Sequence, residues 1–521
     1  MEGYPIGQQD FKQLREHNLI YVDKTQFIGK LIEGKYQYCF LARPRRFGKS
    51  LFLSTLKYFF RGHRCLFEGL YADKIQWDWK EYPVLHLDLN TDRYTEKGKL
   101  DEVLDNLFKH WEKKYGVKDI AANYSQRFNN IIKTAHEKTG RGVVILVDEY
   151  DKPLVSNLNN KDNFDHYRSK LASIYSNFKS SADHIRFVFL TGVSRFSKLS
   201  VFSDLNNIND ITFDNDFADI CGITESEMIC YFQKGINDIA KGYEMSFDEA
   251  RRLLKRNYDG YRFAEKGNDI YNPWSLLNAF SKRYINYYWS QTGLPTIIAE
   301  SLKRIDADLK KVVNTRCSMR TLAGMDLLDP NPVALMYQTG YLTIKHYDLF
   351  SDIVSLGIPN REVEQGLFEV LLPYYVKVKR GLIESVVNDL ILDLLDGNPK
   401  SFIENLNIFL AGIPYDMKME NENNFHNAVY ILLSLIGLRT ETEVHTSDGR
   451  IDLVIKTDQF IYIIELKFDD TAEKAIEQIK DKNYGYPYIR DPRRIFIIGA
   501  NFSSETRHLD KPAILEMEKE S

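Results

Sequence analysis

Over the first 225 or so residues, runs that are apolar throughout alternate with amphipathic stretches of helical period. The apolar runs 36-YQYCFLA-42, 83-PVLHLDL-89, 143-VVILVD-148 and 186-RFVFLTG-192 read as strands. Strands without polar alternation, separated by helices, suit a parallel sheet buried on both faces. From about 226 to 330 the chain reads helical and rich in Tyr. A helix then runs into a strand in 332-PVALMYQTGYLTIK-345, a second strand follows at 353-IVSLGI-358, and another helix lies near 362–377. Helix followed by a two-stranded hairpin is a winged-helix-like pattern. The last 120 or so residues predict helices near 401–411 and 421–436, a hairpin near 450–468, a helix near 471–483 and a strand at 494-RIFIIGA-500. No fixed-period repeat or Gly/Ser-rich linker separates these parts. The expected class is α/β, with domains over 1–225, 226–380 and 395–521.

Composition narrows the class. Of 521 residues, 44% are hydrophobic and 27% charged, which excludes a largely disordered chain. Lys and Arg number 69 against 73 Asp and Glu, a net charge of −4, so any nucleic-acid contact must come from local patches. Cys39, Cys65, Cys221, Cys230 and Cys317 are scattered without zinc-ligand spacing, as in a reducing compartment. The N-terminal residues show neither the basic nor the apolar region of a signal peptide, and no apolar run approaches the ~20 residues that span a bilayer. These features predict a soluble cytoplasmic protein without a membrane partner.

Chemistry enters at 43-RPRRFGKS-50, which follows a predicted strand and precedes the helical 51-LFLSTLKYFF-60. That is the setting of a phosphate-binding loop: backbone N–H groups of Arg46, Phe47 and Gly48 and the start of a helix face phosphate oxygens. Lys49 would reach the β and γ phosphates of ATP, and the Ser50 hydroxyl would ligate Mg²⁺. The first glycine of GxxxxGK[ST] is Arg43 here, so a basic helix-capping turn remains an alternative. The run 143-VVILVDEYDKP-153 ends in two carboxylates: Asp148 to hold Mg²⁺ through water, Glu149 to act as general base. Arg195, after the strand 186–192, would sense the γ-phosphate or is simply a surface Arg. Arg43, Arg45, Arg46 and the cluster 490-RDPRR-494 are candidate phosphate contacts.

A second constellation lies in 449-GRIDLVIKTDQFIYIIELKFDD-470. With the hairpin centred between Asp458 and Gln459, Asp452 falls opposite Glu465, and opposed residues share a face. Lys467, two residues on, shares it too. Two carboxylates this close call for a cation, and a hard divalent metal such as Mg²⁺ suits them, with the Leu466 carbonyl as a further ligand. Lys467 would orient or deprotonate the attacking water. The plainer reading is a solvated face with a cross-strand ion pair. Glu422 and His426 are i, i+4 on a predicted helix, and Glu422 would complete the metal shell. Gln478 and Tyr484 follow the hairpin, placed to orient a scissile phosphate or Lys467.

Together with 21-YVDKT-25, 191-TGVSRFSK-198, 258-YDGYRF-263 and 271-YNPWSLLN-278, these motifs resemble a bacterial family that joins an AAA-ATPase-like domain to a C-terminal PD-(D/E)XK nuclease domain. The resemblance implies a P-loop NTPase sheet domain, a helical lid and a restriction-endonuclease-like α/β domain. It implies Lys49, Ser50, Asp148 and Glu149 as nucleotide residues. Asp452, Glu465 and Lys467 would be the nuclease core, with Glu422 as helix carboxylate and Gln478 as accessory polar residue. The expected function is ATP-controlled, metal-dependent hydrolysis of nucleic acid, DNA before RNA. An ATP-dependent switch or scaffold that binds nucleic acid without cutting it is the alternative, as is a phosphate loop that has lost catalysis. Homo-oligomer formation stays open.

Overall fold

The computed structural model describes residues 3–118, 123–158, 160–195, 208–289, 295–304, 307–324, 331–348, 350–376, 380–411, 422–439, 444–447, 450–482, 484–503, 505–506 and 508–517. The chain forms two compact units, Met1–Trp289 with Asn314–Glu362, and Ser290–Val313 with Val363–Ser521. This cuts the chain differently from the expected 1–225, 226–380 and 395–521. Residues 226–289 and 314–362 pack with the N-terminal sheet domain.

In the first unit β1 (Tyr38–Ala42), β2 (Val84–Asp88), β3 (Val143–Asp148), β4 (Ile185–Gly192) and β5 (Asn209–Asp210) form one parallel sheet in the order β2-β3-β4-β1-β5. Every residue of β1 and β3 is buried, as an apolar strand covered on both faces requires. Because β4 lies between β1 and β3, the carboxyl ends of all three border one crevice, where open α/β sheets bind ligands. The helix Lys49–Phe60 packs on the sheet, with Phe59 and Phe60 against Trp77 and Trp79.

Beyond the sheet, β6 (Ile223–Thr224) pairs with β7 (Ile270–Tyr271) around the helices Glu225–Gly242 and Phe247–Tyr258. Both helices start with capping boxes, Thr224 with Glu227 and Ser246 with Glu249, which fixes their first turns. The short β8 (Arg316–Ser318), β9 (Thr343–Asp348) and β10 (Ile353–Gly357) make the antiparallel sheet β8-β10-β9, which adds a third strand to the expected hairpin after the helix Pro332–Thr339.

The 258-YDGYRF-263 motif is structural. Gly260 has φ +92°, and a Cβ there would run into the Pro359 carbonyl. Burial pushes the Asp259 carboxyl up to about 7, against the Lys255 ammonium 3.7 Å away. A folded-state value above the unfolded one of about 4 means the native state keeps a proton that the unfolded chain has released. Stability from this group is complete below pH 4 and fades as pH rises to 7. Asp259→Asn should therefore raise the melting temperature at pH 8 by a few degrees and leave it unchanged at pH 4. Melting curves at the two pH values check this, and an equal shift at both would contradict the assignment.

In the second unit β11 (Val444–Ser447), β12 (Arg450–Lys456), β13 (Phe460–Phe468), β14 (Arg494–Phe502) and β15 (Leu509–Glu516) form a mixed sheet in that order, with only β13 and β14 parallel. One face packs on the helix Ala472–Asp481 through Ile461, Ile463, Ile476, Ile479, Ile495 and Ile497. On the opposite face Tyr462 donates to the Leu394 carbonyl at the end of the helix Arg380–Leu395. Among the described residues, no helix is long and apolar enough to cross a membrane.

Candidate functional site

The loop 43–50 leaves β1 and turns into the helix Lys49–Phe60 through two left-handed residues, Arg46 (φ +67°) and Gly48 (φ +96°). The left-handed turn at Gly48 brings the N–H groups of the first helical turn to the crevice. Phe47 is buried edge-on against Tyr261 and Phe263, at 4.8 and 5.3 Å, which ties the loop to the 258–263 motif. Lys49 is 4% exposed. Its ammonium donates to the carbonyls of Arg43 (3.1 Å) and Pro44 (3.3 Å) and lies 3.3 Å from Glu149 Oε1. Ser50 follows as the second helical residue.

Arg43 corrects the sequence reading, which counted it among phosphate contacts. The side chain is 1% exposed and stacks 4.4 Å over Phe263. Its guanidinium donates to the carbonyls of Ala42 (2.9 Å), Thr212 (2.8 Å) and Phe217 (3.1 Å). An inward arginine that stitches the loop to distant backbone thus occupies the place of the motif's first glycine. Removing it takes a donor from each of these carbonyls, at about 1–3 kcal/mol for any left without another; Phe217 keeps the Ile220 N–H. Arg43→Ala should lower the melting temperature by on the order of 5–10 °C. A shift under about 2 °C by circular dichroism would show that the guanidinium is dispensable.

Across the crevice Asp148 ends β3, 4% exposed, and accepts the Thr191 hydroxyl at 2.7 Å. Glu149 takes a left-handed φ of +52°, and its carboxylate pairs with Lys49. Asp151 is buried, accepts the N–H groups of Ser194 (2.7 Å) and Val193 (3.2 Å), and has its carboxyl pushed up by burial and by Glu149. Loop, Lys49, Glu149, Asp148 and Thr191 thus meet at one edge of the sheet. Arg195 is committed elsewhere: its guanidinium pairs with Asp210 and donates to the Ala323 carbonyl at 3.3 Å. A contact with a terminal phosphate requires that pair to open.

Sequence reasoning missed a cavity of about 80 Å³ beside Gly48, walled by Ile20, Tyr21, Val22, Leu51, Cys221 and Ile223. An apolar slot next to a phosphate loop has the chemistry to take a nucleobase. The 21-YVDKT-25 motif was its available signal: Tyr21 and Val22 wall the slot, and Lys24 pairs with Glu227 at 2.7 Å. The fit to a magnesium nucleotide is good, with a helix N-terminus, an ammonium, two acidic side chains and an apolar slot together.

In the second unit the hairpin register is the expected one. Asp452 pairs with Glu465, and Glu465 pairs with Gly499 on its other side. Glu465 is 0% exposed. Lys467 donates to Glu465 Oε1 at 2.9 Å and to Gln478 Oε1. A fully buried carboxylate needs a cation, hydrogen bonds or a proton, and Lys467 supplies a cation here. Gln478 gets there because its helix crosses β14 over Gly499; a Cβ on Gly499 would sit 2.7 Å from the Ala472 carbonyl. Leu466 stands between Glu465 and Lys467, paired to Ile451 and Ala500. Tyr484 packs against the isoleucine cluster. Glu422 begins the helix Glu422–Arg439. The side chains of Asp452, Glu422 and His426 lie outside the described residues. The register alone puts the Asp452 and Glu465 positions on one face of the ribbon, as a divalent cation would require.

Comparison with known proteins completes the picture. Residues 5–202 match a family described as predicted AAA-ATPase, and residues 420–511 match the PD-(D/E)XK nuclease superfamily. Over 515 residues the chain is 35% identical to an uncharacterized protein in the vnfD 5′ region of Azotobacter chroococcum mcd 1, covering 96% of this chain and 97% of that protein.

Proposed function

The chain belongs to the predicted AAA-ATPase family with a PD-(D/E)XK nuclease-superfamily domain, and from that premise we propose that it is a metal-dependent deoxyribonuclease whose cutting is controlled by ATP. The observation that carries this reading is the ribbon in which Asp452 pairs with Glu465 and Lys467 bridges Glu465 to Gln478.

Asp452 and Glu465 would hold Mg²⁺, with the Leu466 carbonyl and Glu422 as further ligands. When bound, the metal supplies Lewis acidity toward a phosphodiester and its attacking water. The chain's own part is positional and electrostatic. Gln478 fixes the Lys467 ammonium beside the carboxylates, and Lys467 orients the water and offsets charge that builds on the phosphoryl oxygens. In the first unit the N–H groups of Arg46, Phe47 and Gly48 would cradle the phosphates and Lys49 would pair with them. Ser50 and Asp148 would hold the nucleotide's Mg²⁺, with Glu149 as base. Arg195 would join once released from Asp210. Thr191 fixes the Asp148 carboxylate by its 2.7 Å hydrogen bond.

The test uses the full chain with single-stranded, duplex and branched DNA, in Mg²⁺ or Mn²⁺, with and without ATP. Cutting that EDTA abolishes and ATP alters is expected, with binding that weakens as salt rises. Absence of cutting on all three substrates, in both metals and both nucleotide states, would refute the reading.

A further inference from the structure

The motif 271-YNPW and the segment 359-PNRE-362 have no part in the chemistry above, yet they converge on the phosphate loop. Arg46 lays its guanidinium 4.0 Å over the ring of Trp274 and donates to the Tyr288 carbonyl at 3.3 Å. Trp274 Nε1 donates to the same carbonyl at 3.3 Å. One peptide oxygen thus receives both the phosphate-loop arginine and the indole beneath it. That peptide is held in turn by Glu362. The carboxylate is 0% exposed, and its Oε1 accepts the N–H of Trp289 at 2.7 Å and the N–H of Tyr288. Tyr258 clamps the segment two residues earlier: its hydroxyl donates to the Asn286 carbonyl at 2.8 Å and receives the Asn286 N–H at 3.0 Å. The chain leaves the first unit directly after Trp289 and again directly after Glu362.

We propose that Glu362 is a positioning residue of the nucleotide site, acting through the Tyr288–Trp289 segment to hold Arg46 in one orientation. Nucleotide occupancy and the path by which the chain leaves the first unit are thereby coupled. This deepens the ATP-control reading and rests on it. A long cationic side chain gives up rotamer freedom when it binds phosphate, and one already stacked and hydrogen-bonded has less to lose. Without the Glu362 carboxylate the Tyr288 and Trp289 N–H groups would lose the acceptor they share, so the segment shifts. The Tyr288 carbonyl leaves with it, and Arg46 loses its fixed place. Coupling of this kind is reciprocal: whatever moves the 286–289 segment alters ATP affinity by the factor with which ATP biases the segment.

The experiment is a double-mutant cycle in the full chain, read by MgATP titration and tryptophan emission. Wild type should show an emission change on ATP addition that Trp274→Phe removes, although four other tryptophans remain of the five in the chain. Glu362→Ala should weaken ATP binding roughly tenfold and lose that change. Glu362→Gln keeps an oxygen for both N–H groups and should stay within about threefold of wild type. Arg46→Ala and Glu362→Ala together should bind no worse than Arg46→Ala alone. Should Glu362→Ala not fold, Glu362→Asp, which withdraws the oxygens by one methylene, replaces it in the cycle. Multiplying losses in the double variant, or Glu362→Ala binding ATP like wild type, would overturn the inference. Wild type that fails to bind ATP would instead refute the nucleotide reading, and this inference with it.

Discussion

Lys467→Ala should slow DNA cutting by about 10²–10⁴-fold, the range expected when a positioned acid–base or electrostatic group is removed. The ammonium touches two side chains of the candidate site, Glu465 at 2.9 Å and Gln478. The substitution also removes the Lys467 ammonium from beside a fully buried carboxylate, which costs stability that a bound metal can offset. Melting temperature should accordingly fall in EDTA and recover in part with Mg²⁺. Glu465→Gln makes the contrast: it removes the charge, so Mg²⁺ should neither stabilise it nor restore cutting. Gel assays and melting curves of the three proteins, with and without metal, decide the matter. Lys467→Ala cutting at the wild-type rate would take the amine out of the mechanism. Wild type and Lys467→Ala both binding DNA without cutting it would favour an ATP-dependent switch.

Lys49→Ala should weaken ATP binding by about 10–100-fold, the value of a lost charge-assisted contact of about 1.5–3 kcal/mol. Lys49 is the ammonium that bridges the phosphate loop to Glu149. Its loss leaves Asp148, Glu149 and Asp151 without that cation, and like charges then oppose a nucleotide as well as one another. Thermal shift is a direct readout: saturating MgATP should raise the wild-type melting temperature, as any ligand selective for the native state does, and raise that of Lys49→Ala far less. Equal, weak shifts in both proteins would indicate a loop that has lost its nucleotide chemistry.

Much of this architecture was legible from patterning. The four apolar runs of the first unit became β1 to β4 with ends displaced by no more than two residues, because a strand buried on both faces has no polar alternation to blur it. The hairpin register was legible because the turn fixes which residues face each other, and the side-chain period of two does the rest. Weaker signals failed. The two-residue β5 and the edge strands β11 and β15 carry too little apolar pattern to be seen alone. The helix Arg380–Leu395 passed unnoticed, with no capping signal at its start as strong as Thr224–Glu227. The apolar slot beside Gly48 draws on residues from 5 to 277, and a motif such as 21-YVDKT-25 marks one wall without showing that the others meet it.

The division between sequence and tertiary structure follows range. Local order alone determined the strands, the phosphate-loop turn and the pairing of Asp452 with Glu465, since each depends on neighbours within a few residues or across one tight turn. Where Arg43 and Arg46 of the phosphate loop and Arg195 after β4 point was decided by the packed fold. Arg43 turns inward to carbonyls near 212 and 217, Arg46 lies on Trp274 under the Tyr288 carbonyl, and Arg195 pairs with Asp210. A buried or half-buried cation settles only where acceptors converge, and acceptors up to some 240 residues away in the chain meet it only once the core has closed.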